Sequence, residues 1–220
     1  MAERPRSFHR LRWTTYFAVG LIWIAQQGLA TGRAPTDPWQ VLDSLRRSLG
    51  AAPLQADFVQ QFRPAGFSGT DTESGTLSLS LPACLRWDYL DPFPKTFLLC
   101  DQEVHTWDPG ERAGRRFIFS AADEPGIDLL RLQIEDLRKR YEASLDAADD
   151  GSRLVTLTPR QLPARITRAQ LRIDAASGLL RELSYEDREG NESRFLITAY
   201  SPLQDSDVFQ PPGDLEWLDQ

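Results

Sequence analysis

The chain has 220 residues, of which 41% are hydrophobic and 26% charged, a composition typical of a globular protein rather than a disordered one. Its 25 basic and 32 acidic residues give a formal net charge of −7. This balance argues against nucleic acid as a partner, because proteins that bind it concentrate Lys and Arg. The two histidines and two cysteines are too few for a zinc framework, so we expect no metal and no other cofactor.

The first thirty residues have the pattern of a secretory signal peptide. Four arginines precede the apolar run 16–25, and the small residues Gly28 and Ala30 suit a cleavage site. The run is shorter than the roughly 20 residues that a membrane-spanning helix needs. We therefore predict that residues 1–30 are cleaved and that residues 31–220 form a single exported domain. An uncleaved membrane anchor is the alternative.

The segment that follows predicts an amphipathic helix. Asp37 can cap its N-terminus, Pro38 suits its first turn, and Gly50 can take the left-handed conformation just beyond its end. Apolar side chains recur between them at helical spacing, at Trp39, Leu42, Leu45 and Leu49.

From Leu54 onward, apolar residues recur at every second position, which predicts strands with one buried and one solvated face. A helix or helical pair at 123–139 interrupts the strands. The runs number about eleven, and so many sequential antiparallel strands must curl toward a barrel or split into a sandwich. The runs after the interruption are 141–145, 153–158, 166–174, 179–186 and 192–200.

The segment 84–100 predicts a hairpin with a defined register. The turn residues 91–94 make position 87 face 97, 85 face 99, and 84 face 100. Cys84 and Cys100 are then directly opposite each other, so they either form a disulfide or pack as two small apolar thiols. One face carries Leu85, Trp87, Tyr89, Phe97 and Leu99, and the other carries Cys84, Arg86, Asp88, Leu98 and Cys100.

The interior of a curled sheet is filled by side chains, plugged by helices, or open to an apolar guest. The strand patterns favour the last two arrangements, whereas the composition of the inward face, taken alone, favours an ordinary core. The candidate inward residues, which would line an acyl-binding cavity, are Phe58, Phe62, Leu77, Leu79, Leu81, Leu85, Trp87, Tyr89, Phe97, Leu99, Trp107 and Phe117.

The strands carry an ordered series of short motifs. The series includes F-x-Q-x-F at 58–62, Gly75-Thr76-Leu77, Arg86-Trp87-x-Tyr89, Trp107-x-Pro109, Asp187-x-x-Gly190-Asn191 and Pro211-Pro212-Gly213. In this order the motifs resemble those of LolA, the periplasmic outer-membrane lipoprotein carrier family. No single motif is specific, and the order of the series carries the resemblance over roughly residues 39–219.

The resemblance implies an unclosed eleven-stranded antiparallel barrel with a helical lid over an apolar cavity. It implies a monomeric periplasmic carrier that takes acylated lipoproteins from an inner-membrane ABC transporter and gives them to an acceptor lipoprotein at the outer membrane. The family's entrance aromatic falls at Leu85, and its neighbouring tryptophan is Trp87. The arginine that latches the family's lid falls at Leu81, so the lid is held differently here or the cargo differs.

Two alternatives share this fold. One is a carrier of another lipid-linked periplasmic product, and the other is a lipid-sensing module, which would usually carry a second domain. An enzyme is disfavoured, because the sequence contains no G-x-S-x-G motif, no phosphate-binding glycine loop and no metal-ligand spacing. We interpret His105 as an ordinary strand histidine. Arg86 is either paired with Asp88 at the surface or available to a partner protein.

Overall fold

The computed structural model describes residues 37–118, 127–131, 133–148, 150–162 and 164–219, all of which belong to one compact unit. The predicted signal peptide lies outside these residues, as does the start of the predicted helical segment at 123–126. None of the helices in the described ranges is long and apolar enough to cross a membrane.

The described chain forms three helices, twelve strands and one 3₁₀ turn. The helices are α1 (Pro38–Gly50), α2 (Ile127–Arg131) and α3 (Ile134–Arg140), and the 3₁₀ turn is Ser206–Phe209. The strands are β1 (Leu54–Arg63), β2 (Asp71–Ser80), β3 (Cys84–Asp91), β4 (Lys95–Cys100), β5 (Glu103–Trp107), β6 (Ala113–Ile118), β7 (Tyr141–Ala147), β8 (Arg153–Pro159), β9 (Ile166–Ile173), β10 (Leu180–Asp187), β11 (Glu192–Pro202) and β12 (Glu216–Asp219).

All twelve strands belong to one sheet, in the order β12-β6-β5-β4-β3-β2-β1-β11-β10-β9-β8-β7. Two antiparallel meanders meet where β1 pairs with β11, and the edge strands β7 and β12 are not paired with each other in the described residues. The predicted class, a mainly β protein with helices and an unclosed sheet, is confirmed. The twelfth strand was not predicted, and it pairs parallel to β6.

Helix α1 contacts β2 and also β7 and β8. In the sheet order β2 and β8 are five strand spacings apart, about 24 Å in a flat sheet. A helix is only about 10 Å wide. The sheet therefore curves around α1, and its concave face is the face that α1 covers.

The N-terminus of α1 is capped as predicted, because Asp37 Oδ1 accepts a hydrogen bond from the backbone N–H of Trp39 at 3.0 Å. The prediction for Gly50 is wrong. Gly50 is the last helical residue, and Ala51 follows it in a right-handed conformation with φ −68°. A Cβ atom at Gly50 would lie 3.4 Å from the carbonyl oxygen of Leu81, an ordinary contact distance, so the end of α1 lies against the turn after β2.

The main core lies between the helices and the concave face. The apolar stripe of α1 is 1–3% exposed and consists of Val41, Leu42, Leu45 and Leu49. It belongs to one hydrophobic cluster with Leu129 and Leu130 of α2, Ile134 and Leu137 of α3, and the concave-facing residues of both meanders. Each such leucine contributes about 1.5–3 kcal/mol of hydrophobic stabilisation.

The hairpin of β3 and β4 has the predicted register, with Cys84 opposite Cys100, Leu85 opposite Leu99, and Trp87 opposite Phe97. In the structure the two cysteines form a disulfide. It lies on the outer face, because Cys84 alternates with the buried, concave-facing Leu85.

The C-terminal segment crosses the outer face and ends as β12 beside β6. The Trp217 ring lies 4.6 Å from the His105 ring and 5.9 Å from the Trp107 ring. The prediction that Trp107 points inward is therefore wrong. Val104 pairs with the concave-facing Leu99, so Trp107, three residues later, lies on the opposite face.

Gly75 in β2 marks a close approach of two strands and generates the first prediction. The register of β2 and β3 shifts there, and a Cβ atom at Gly75 would lie 1.9 Å from the carbonyl oxygen of Asp88. Gly75→Ala should therefore lower the free energy of unfolding by about 2–3 kcal/mol, as overpacking does. Denaturant unfolding measures this. Gly69→Ala, where nothing lies within 4 Å, should change stability by less than about 0.5 kcal/mol, and equal effects of the two changes would refute the close approach.

Candidate functional site

The concave face of β1 to β5 is layered, because directly opposite residues share a row across the strands. The rows change from aliphatic at one end, through aromatic, to polar at the other end, where β1 ends and β4 begins. Successive rows contain Leu79, Leu85, Leu99 and Val104, then Leu77, Trp87 and Phe97, then Phe58, Gly75, Tyr89 and Lys95, then Gln60 and Glu73.

Ten of the twelve predicted cavity residues lie on the concave face, nine of them on β1 to β4 and Phe117 on β6. Five of them, Leu77, Leu79, Leu85, Leu99 and Phe58, are at most 3% exposed, and Trp87 is also buried. The remaining four, Phe62, Tyr89, Phe97 and Phe117, are half-buried. The aliphatic end is thus covered, whereas part of the aromatic surface is accessible.

Aromatic rings form a connected group at the accessible end, and we name Phe58, Tyr89, Phe97, Tyr185 and Phe195 the aromatic rim. The Phe58 and Tyr89 rings lie 5.0 Å apart, edge to face, and Tyr89 lies 5.8 Å from Phe97. Gly75 lies between Phe58 and Tyr89 in the row and has no side chain to separate the two rings. Sequence patterns identified three of these rings but not Tyr185 and Phe195, which β10 and β11 bring in from the second meander.

A polar band of Gln60, Glu73 and Lys95 borders the aromatic rim on β1, β2 and β4. The Tyr89 hydroxyl donates a hydrogen bond to Gln60 Oε1 at 2.6 Å. Lys95 Nζ donates to Glu73 Oε1 at 2.7 Å and lies 4.5 Å above the Tyr89 ring. A groove of about 390 Å³ opens beside this band, lined by Gln60, Phe62, Asp71, Thr72, Glu73, Pro92 and Phe93.

Two arginines fasten α2 at the aliphatic end, and we name their hydrogen bonds the clasp. The Arg46 guanidinium of α1 donates to the carbonyl oxygens of Leu130 and Arg131, both at 3.1 Å. Arg131 in turn donates from Nε to the carbonyl oxygen of Pro82 at 3.4 Å, and from Nη2 to that of Asp101. Burial lowers the pKa of both arginines, but an arginine stays charged near neutral pH.

Leu81, another of the predicted cavity residues, lies in the turn after β2 rather than on a strand. Its half-buried side chain packs against the core cluster and lines a groove that also contains Arg46 and Leu130. The family resemblance would assign an arginine to this position, whereas here the arginines that donate hydrogen bonds around α2 are Arg46 and Arg131. Sequence reasoning missed both, because nothing local distinguishes them from other helix-surface arginines.

Arg86 makes three hydrogen bonds on the outer face. Its Nε and Nη2 donate to the two carboxylate oxygens of Asp88, each at 2.8 Å, and its Nη1 donates to the carbonyl oxygen of Val208 at 2.7 Å. The Thr96 hydroxyl also donates to Asp88, at 2.7 Å. This network ties the C-terminal segment to β3, which favours the pairing interpretation of Arg86 over the partner contact.

His105 lies under the C-terminal strand, with Nε2 3.3 Å from Glu103 Oε1. Burial lowers its pKa, although the Glu103 carboxylate acts in the opposite direction. These contacts agree with an ordinary strand histidine. Within the described residues, no group of three or more histidine, cysteine or acidic side chains is placed to hold a metal ion.

The Arg86 network generates a second prediction. Arg86→Met removes three hydrogen bonds from side chains that are about 20% exposed, and should lower the free energy of unfolding by about 1–3 kcal/mol. Because Arg86 is on the outer face, the affinity for an acyl probe should not change. Thermal unfolding and probe titration test both parts. Arg63→Met is the control, because its partner Glu192 is half exposed, and it should lower the free energy of unfolding by less than about 1 kcal/mol. Loss of probe binding in Arg86→Met alone would contradict the placement of Arg86 on the outer face.

The fold and the site define a class of β proteins with a curved, unclosed sheet whose apolar concave face is covered by helices. The model of the family described as "Outer membrane lipoprotein carrier protein LolA" matches residues 50–211. This chain belongs to that family.

Curated relatives in the family are distant. A protein of Xanthomonas axonopodis pv. citri (strain 306), described as an outer-membrane lipoprotein carrier protein, is 30% identical over 124 residues, which cover 55% of this chain and 57% of the relative. A protein of the same description from Xanthomonas oryzae pv. oryzae (strain MAFF 311018) is 29% identical over 124 residues, with the same coverage. The chain thus spans a little over half the length of the curated relatives it matches.

Solved structures share the fold at low sequence identity. An uncharacterized conserved protein from Thermus thermophilus has a TM-score of 0.53 at 13% identity, covering 82% of this chain and 98% of that one. MucB has a TM-score of 0.50 at 17% identity, covering 84% of this chain and 66% of that one. At these identities the likeness concerns the fold alone.

Proposed function

We propose that this protein is a periplasmic carrier that binds the acyl chains of lipoproteins on its concave face and escorts them from the inner to the outer membrane. The graded concave face is the observation that carries the proposal. Its leucine rows suit hydrocarbon chains, and its polar band suits the head that bears them. Family membership supports the same role.

Transfer of acyl chains through water needs such a carrier. Each exposed CH₂ group costs about 0.8 kcal/mol, so a lipid with two or three chains does not leave a membrane unescorted at a useful rate. The carrier must also release its guest, and therefore must not hold it more tightly than the acceptor does. Binding and release need no chemical reaction, so we propose a chaperone and not an enzyme. An inner-membrane ABC transporter would donate the lipoprotein, and an outer-membrane lipoprotein would accept it.

The described conformation is closed at the aliphatic end. Leu79, Leu85 and Leu99 are 0–3% exposed there, so an acyl chain reaches them only if a covering element moves. Helix α2 is the best candidate for this lid. It has five residues, too few for an isolated helix to be stable, and it is held by its buried leucines and by the clasp.

Loosening the clasp should open the lid. Arg131→Met removes two hydrogen bonds to backbone carbonyls, worth about 1–3 kcal/mol in total. Amide hydrogen exchange in α2 should therefore accelerate about tenfold, and a fluorescent fatty-acid probe should associate faster. Exchange mass spectrometry and stopped-flow fluorescence measure the two effects.

Arg47→Met is the matched control, because the contacts of Arg47 with Asp43 and Ser44 stay within α1. It should leave both rates unchanged. If Arg131→Met exchanges and binds like the wild type, α2 is not the lid.

The aromatic rim should contribute directly to guest affinity. Phe97→Gln removes an apolar ring whose burial against an acyl chain is worth about 1.5–3 kcal/mol, so the dissociation constant of the probe should rise at least about tenfold. Phe67→Gln, the same change at a side chain that is 71% exposed in the β1–β2 loop, should have little effect. Equal affinities of the two variants would contradict the concave-face site.

The carrier role itself is tested with spheroplasts. The purified protein should release a newly acylated lipoprotein into the medium, and the Phe97→Gln variant should release less. If no lipoprotein is released, and native mass spectrometry of protein from its own periplasm detects a different amphiphile, the cargo is another lipid-linked product. Release without any dependence on the concave face would refute the proposed mechanism.

A further inference from the structure

The groove beside the polar band has an unusual charge distribution. Two carboxylates line it, those of Asp71 and Glu73, and the described lining residues include no lysine or arginine. The neighbouring cation is Lys95, whose ammonium group is already paired with Glu73 at 2.7 Å. The groove therefore offers hydrogen-bonding groups and negative charge to a guest, but no uncommitted positive charge from its lining.

Both partners of this ion pair are partly removed from water, with side chains 31% and 21% exposed. Charges interact more strongly in such a setting than in bulk water. An anionic group in the groove would face Asp71 and would have to compete with Glu73 for Lys95. An uncharged group would meet no such opposition, because it can accept hydrogen bonds from the Gln60 amide, which lies on the groove side of β1.

The groove also has the right position for the head of a lipid. Glu73 and Leu79 are six residues apart on the same face of β2, which is about 20 Å along a strand. One leaflet of a bilayer's hydrocarbon core is about 15 Å thick. A chain that lies along the concave face with its head at Glu73 therefore reaches the leucine rows.

We propose that this groove holds the polar head of the guest and selects uncharged heads, built of ester and amide groups, over heads that carry a phosphate. The inference rests on the proposed carrier function and adds a specificity to it. A lipid-modified protein terminus whose amine is acylated has an uncharged head, whereas most membrane phospholipids present a phosphate. The same groove would thus keep the carrier from filling with the lipids of the membrane it visits.

A matched pair of lipids tests the proposal. Dioctanoylglycerol and dioctanoyl phosphatidic acid have the same chains and differ only in the phosphate. Calorimetric titration of the purified protein should give at least tenfold tighter binding of dioctanoylglycerol. Glu73→Gln removes one carboxylate and releases Lys95, so it should shift the ratio of the two affinities at least fivefold toward phosphatidic acid.

Asp57→Asn is the control, because it removes one negative charge from β1 on the outer face and should leave the ratio unchanged. A wild-type ratio near one would overturn the proposal, and so would a shift in Glu73→Gln no larger than that in Asp57→Asn. If neither lipid binds to any variant, the carrier function fails and the specificity fails with it. If dioctanoylglycerol binds and the ratio of the two lipid affinities does not change in Glu73→Gln, only the specificity is refuted.

Discussion

The burial of α1 inside the curved sheet is the contact on which the rest of the molecule depends. Its leucine stripe lies against both meanders, so the helix connects strands that are far apart in the sheet order. Without that stripe, the concave rows around Leu77 and Leu85 would face water. On the proposed carrier function a guest needs the same rows, so the helices and the guest would compete for one apolar surface.

This competition explains how the covering elements are held. For the proposed opening, a large, continuous interface over the leucine rows would be too stable, whereas releasing the five-residue α2 costs the hydrogen bonds of the clasp and the burial of Leu129 and Leu130. The donor groups are side chains and the acceptors are backbone carbonyls, so the clasp tolerates sequence change on its acceptor side. Because Arg46 and Arg131 already supply the donors, Leu81 can contribute an apolar contact where the family resemblance would place an arginine.

Local signals made part of this structure predictable. A turn at 91–94 fixes which residues of β3 and β4 face each other, and strict alternation then assigns Cys84 and Cys100 to one row. The same alternation, applied to β5, would have placed Trp107 on the outer face beside Thr96, but its aromatic character suggested the core. Helix α1 was predictable because its cap and its apolar stripe lie within one short segment.

Eleven of the twelve strands, the hairpin register, the apolar concave face and the resemblance to lipoprotein carriers could be predicted from the amino-acid order, because each depends on neighbouring residues or on their succession. Only the tertiary structure shows which groups far apart in the sequence come into contact, such as Arg46 with Leu130, Glu73 with Lys95, and Trp217 with Gly114. Such contacts follow from how the sheet curves and where the chain returns. Their energies come from burial and charge at sites that no local pattern specifies.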